Sequence, residues 1–180
     1  TSNQLDLINV SSTLRKLRCY DCDGLLGANL TNFKSLKSVN VSGCNKMANI
    51  NLTGCTGLET FSLSDNSASV LNITDCSSLK ELYWTTSLDK IIHDGADALE
   101  LISGGYVSEL TLSGKNNLKT IKGLGASSFT LSDCPNLSLM GQIYSVYDIN
   151  INNCPLLDAI DVDFADSSYE TYTFTDCANI

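Results

Sequence analysis

The sequence predicts a solenoid: a right-handed stack of about eight coils of 20 to 22 residues, built from β-strand and turn with little helix. Three observations carry this. Between Val39 and Leu79 the segments VNVSGCNKM, INLTGCTGL, FSLSDNSAS and LNITDCSSL follow one pattern: apolar, any, apolar, two small polar residues, then Cys or Asn. The alternation inside each unit has the two-residue period of a strand, and its residues are strand formers. Finally, no stretch of ten or more residues shows the three-and-four spacing of a long amphipathic helix. The two prolines, Pro135 and Pro155, each directly follow a Cys of the pattern, so Ser, Asn, Asp and Gly must make the turns.

Taken in order, Leu5, Leu7, Val10 and Leu14 form the first unit, and Leu17, Cys19, Cys22 and Leu25 the second. Leu30, Phe33 and Leu36 keep the apolar beat but lose the Cys. The four clear units then alternate in flavour, which makes the true repeat two half-coils with two strand faces. Face A takes its inward pairs from Leu17/Cys19, Val39/Val41, Phe61/Leu63, Leu82/Trp84 and Ile160/Val162. Face B takes them from Leu5/Leu7, Ile50/Leu52, Leu71/Ile73, Leu110/Leu112, Phe129/Leu131, Ile149/Ile151 and Tyr172/Phe174. Between 101 and 143 the glycines Gly104, Gly105, Gly123, Gly125 and Gly141 leave face A weakly defined, and irregular coils are expected there. The whole of 1–180 reads as one solenoid domain. Its ends show no evident polar cap, which predicts a piece of a longer ectodomain and end-to-end stacking with further repeats.

Units such as LETFSLSDN, LNITDCSSL and LSDCPNL resemble leucine-rich repeats, with leucines set around an Asn or Cys at a fixed place in the coil. The short two-faced version resembles the BspA-like surface leucine-rich repeat proteins of anaerobic bacteria, over essentially the whole chain. That resemblance implies an exported, cell-surface protein that acts in adhesion or recognition. Val10 and Lys115 depart from the pattern at the Cys/Asn place.

The cysteines are read by that register. Cys22 and Cys44 sit at the ladder place of face A and Cys55, Cys76, Cys134, Cys154 and Cys177 at that of face B, and Asn66 stands where a Cys would. A position that Asn can fill serves the turn backbone, and a buried free thiol is a small hydrophobe, so these eight residues are expected to form a structural ladder, with disulfides between neighbouring coils, Cys55 with Cys76 and Cys134 with Cys154, as the alternative.

A formal net charge of -9 argues against binding to phosphate backbones, and no apolar run approaches the roughly 20 residues of a membrane span. No nucleic acid, membrane insertion or cofactor is expected. The single histidine, His93, lacks a partner and is expected on the outer surface, so no enzyme is predicted. Asp161, Asp163 and Asp166 are expected to be a solvated acidic rim, calcium being the alternative, because the turn Gly and closing Glu of a calcium loop are missing. Outward positions on face B, from Asn51 and Thr53 to Thr173 and Thr175, form a ladder of short hydroxyls and amides that suits stacking between coils, with ordered water, ice or glycans as the functional alternative. Outward positions on face A are more varied, and Ile102 is counted among them. Tyr20, Tyr83, Arg18, Asn40, Ser62 and Lys122 are the candidate binding residues, with the two tyrosines as anchors for a protein or glycan ligand.

Overall fold

A computed structural model describes residues 4–6, 13–164 and 171–180. The strands are β1 (Gln4–Asp6), β2 (Lys16–Tyr20), β3 (Gly27–Asn29), β4 (Ser38–Ser42), β5 (Asn49–Asn51), β6 (Thr60–Ser64), β7 (Val70–Asn72) and β8 (Glu81–Trp84). They continue as β9 (Lys90–Ile92), β10 (Leu101–Ser103), β11 (Tyr106–Ser113), β12 (Thr120–Lys122), β13 (Gly125–Ser132), β14 (Leu139–Val146), β15 (Asp148–Asn152), β16 (Ala159–Phe164) and β17 (Thr171–Thr175). Among the described residues there is no helix, and every ladder pairs its strands in parallel. The chain is a parallel β-solenoid of about eight coils.

Face A is continuous. Leu17, Val39, Phe61, Leu82, Ile102, Ile121, Met140 and Ile160 are register partners in one column through eight successive strands. Six of these eight are fully buried, the outermost two only half so. Ile102, assigned outward from the sequence, is therefore an inward core residue, because β10 has three residues and its middle one faces in. Burying one such side chain contributes about 1.5–3 kcal/mol, so the column is a principal source of stability.

Face B is built in two blocks. β1, β3, β5, β7 and β9 form a five-stranded sheet, whereas β11, β13, β15 and β17 pair with one another and join the face A sheet through the Gly125–Tyr144 pair. Ala28 and Leu30 are buried in the face B columns, so the segment that lacks the Cys is a regular coil with Ala in the first inward place. Leu7 and Val10 lie outside the described residues.

The stretch 101–143 holds β11 and β13 and the start of β14, three strands of eight residues each, with β11 and β13 in register from Tyr106/Gly125 to Ser113/Ser132. Its irregularity is local, in a register shift between Met140 and Ile143. Bulges fall between β14 and β16. The glycines serve corners. In the β2–β3, β4–β5 and β6–β7 connections a turn built on Cys22, Cys44 or Asn66 links face A to face B; at Thr85–Asp89 neither the column residue nor its left-handed neighbour remains, and after β10, β12 and β14 the chain passes directly between faces. A Cβ at Gly104 would collide with the indole of Trp84, which is buried as an inward residue. Spacing along the inward columns shortens accordingly, from 22 residues between Val39 and Phe61 to 19 between Ile102 and Ile121.

Each remaining turn puts a left-handed residue just before the ladder column. Asp21, Gly43 and Asp65 do so on the face A side, and Asn32, Gly54, Asp75, Gly95, Gly114, Asp133, Asn153 and Asp176 on the face B side. Only Gly, Asn and Asp enter this region readily, which explains the Gly-Cys and Asp-Cys dipeptides of the sequence.

Candidate functional site

Each candidate face A residue sits on a strand whose inward neighbours pin it. Register pairs Arg18 with Asn40, Asn40 with Ser62, Ser62 with Tyr83, Tyr83 with Ser103, and Ser103 with Lys122. Five of the six candidates therefore stand in a single outward file. At the usual strand spacing it runs roughly 24 Å across the sheet. Tyr20 is two residues beyond Arg18 on β2, in the neighbouring file with Ser42 and Ser64, and is 52% exposed.

The surface around the file has its own order. Tyr83 donates its hydroxyl to Glu81 Oε2 at 3.2 Å, and burial together with that carboxylate raises the phenol above its ordinary range. Glu100 pairs with Lys119 at 2.7 Å and with Lys80 at 3.7 Å, and the hydrogen bond from Lys119 holds its carboxyl below the usual value. Between these groups lies an open groove of about 610 Å³ lined by Glu81, Glu100, Leu101, Lys119, Lys122 and Leu139, among others. Leu139 is 40% exposed there. The result is a shallow surface of mixed charge with apolar and aromatic patches.

The ladder residues do their work inside the turns. All eight cysteines are free, six buried and two half-buried. Cys55 Sγ donates to Leu30 O at 2.8 Å and Cys76 Sγ to Leu52 O at 3.3 Å, each reaching back to a strand-end carbonyl of the preceding coil. Asn66 works within its own turn, donating Nδ2 to Ser64 O and accepting from Ala68 N–H through Oδ1. The thiols thus satisfy carbonyls rather than amides. Burial pushes the Cys76 thiol up to about 12. Cys154 is pushed up by its hydrogen bond to the Cys134 sulfur and by burial, with Lys115 beside Cys134. Asp161 is exposed on face A; the side chain of Asp163 and the whole of Asp166 lie outside the described residues. Among the described residues no group of three or more His, Cys, Asp or Glu is placed to hold a metal ion.

One site was not visible in the sequence. β9 and β11 are neighbours on face B, yet beyond the isolated Leu88–Val107 bridge they exchange no ladder pair. A cleft of about 730 Å³ opens there. His93 is not on the outer surface as expected: it follows Leu30, Leu52 and Ile73 in an inward column, since Ile91 pairs with Leu71 and Ile73 N–H donates to Ile92 O. Its Nε2 lies 2.8 Å from Thr111 O, spanning the gap, while Nδ1 is buried without a partner. Lys115 fills the place of the column Cys, is 4% exposed, and reaches Asp97 at 2.8 Å. The departures from pattern that mark the break are His93 in a column of Leu and Ile, and Ala96 and Lys115 in the place of Cys; only the register turns His93 and Lys115 into neighbours.

No family model, curated protein or solved structure matches the chain. No helix among the described residues is long and apolar enough to cross a membrane.

Proposed function

We propose that the protein is a non-enzymatic recognition module that binds a protein or glycan through the outward surface of face A. The observation that carries this reading is the file Arg18, Asn40, Ser62, Tyr83, Lys122: chemically varied side chains held at fixed spacing on the unbroken face of a rigid sheet. Strand-lined faces of solenoids offer extended surfaces of this kind, and an exposed tyrosine gives contact area at low entropy cost. The likeness of units such as LNITDCSSL and LSDCPNL to BspA-like leucine-rich repeats supports a bacterial, exported, cell-surface setting and an adhesive role. Expressing the protein with Tyr20→Ala and Tyr83→Ala together and screening against extracellular-matrix proteins and a glycan array tests it. Loss of about tenfold in affinity or more is expected for one ligand class, as for removal of two contact anchors; unchanged binding of the double variant rules face A out.

A second reading, a spacer within a larger surface protein, draws on the last described coil. Phe174 is 41% exposed and Ile160, Val162 and Tyr172 are half-buried, although all four continue inward columns. A further coil stacked there would cover them.

A further inference from the structure

We propose that the cleft between β9 and β11 binds a cationic side chain, an arginine or lysine presented by an extended segment of a partner polypeptide. The site is distinct from face A and does not depend on the reading given to that face.

Three features converge on a cation. The cleft is of ligand size, about 730 Å³ against the roughly 300–1,000 Å³ of small-molecule sites. Its charges do not balance. Asp89, Asp94, Asp97 and Glu109 face two ammonium groups, and one of these, Lys115, is already bound by Asp97 at 2.8 Å. Three carboxylates are left against Lys90. Lastly, β9 and β11 have no ladder between them past the Leu88–Val107 bridge, so backbone groups along both facing edges lack strand partners, Thr111 O being bonded by His93 instead. A guanidinium brings five donors and one positive charge and accepts nothing, which suits a cleft of carboxylates and open strand carbonyls. The closed end also limits what can enter. With the strands still joined at Leu88 and Val107, a whole strand cannot insert between them, and a single long side chain can.

The cause of the cleft is structural and specific to this place. β10 continues the face A ladder from β8 without a break, while the turn between the faces, already altered at Thr85–Asp89, is reduced to a corner at Gly104 and Gly105. The following strand, β11, enters face B by a different route from β9. The mismatch is absorbed on face B, where His93 and Lys115 then fill positions that most other coils give to Leu or Ile and to Cys.

The test is a titration of the isotopically labelled full chain, followed by amide chemical shifts, with the blocked tripeptide Gly-Arg-Gly and with blocked Gly-Glu-Gly as the opposite-charge probe. Shifts confined to 89–97 and 108–115 are expected with the arginine peptide alone. D94N combined with E109Q is expected to weaken binding about tenfold, the scale of losing charge-assisted hydrogen bonds. D148N combined with D158N, the same charge change on exposed residues elsewhere, is expected to leave it within about twofold. Equal weakening by both pairs, shifts spread over the acidic surface, the same shifts with the glutamate peptide, or no shift at millimolar peptide would each overturn the proposal.

Discussion

At Gly104 the absence of one methyl group decides where Trp84 sits. A Cβ there would enter the indole ring, whereas one at Gly24 would meet nothing within 4 Å. Overpacking a core typically costs about 1–3 kcal/mol, so Gly104→Ala should lower the urea midpoint by that equivalent while Gly24→Ala stays within about 0.5 kcal/mol. The thiols give a second test at this scale. In the folded chain Cys76 ionises only near about 12, because burial and the neighbouring Cys55 oppose the thiolate, against 9.0 for a free thiol. The unfolded chain therefore loses this proton first. The stabilisation is complete below about pH 9 and drains away as pH rises toward 12, by up to about 1.4 kcal/mol per pH unit. Urea midpoints measured from pH 8 to pH 10.5 should fall more steeply for the native sequence than for Cys76→Ala; parallel slopes would show that Cys76 ionises equally in both states.

Elements show which features a sequence carries openly. The face A strands and the ladder column could be read directly, because an alternating apolar pair followed by Gly-Cys, Asp-Cys or Asp-Asn encodes both the strand and the left-handed residue of the turn. Ile102 and the Gly-rich corners could not. A three-residue strand such as β10 has one inward position, too few for its period to be seen, and the loss of a turn shifts the register of everything after it. His93 failed for a related reason: a histidine reads as surface until its column is known. The break on face B makes a prediction about elements. Amides of β10 and β12 lie within a continuous parallel ladder, while those of β9 and β11 that face each other do not. Hydrogen exchange should protect the former and leave the latter among the fastest in any strand of the middle coils. Uniform protection across 89–113 would mean the strands close up in solution.

For the whole molecule the question is whether that break divides the stack into two units. In a solenoid each coil contacts only its neighbours, so a weak interface invites independent melting of the two sides. Here face A argues against it. β6, β8, β10 and β12 are paired in one run past the break, and Trp84, buried at the seam, packs against Gly104 of the next coil and donates its indole N–H to Tyr106 O at 3.4 Å. Half of the interface is thus intact at the one place where the other half is open. Trp84 is the sole tryptophan, which makes it a natural reporter for the junction. Leu52 and Ile151 are both fully buried, on opposite sides of the break. Truncating either to Ala removes about 2–5 kcal/mol of packing. If face A holds the stack together, Leu52→Ala and Ile151→Ala should each shift the Trp84 fluorescence transition in urea to a lower midpoint with the slope unchanged, since a two-state molecule loses stability everywhere when it loses it anywhere. A transition that moves for only one variant, or that splits in two, would show that the cleft separates two folding units.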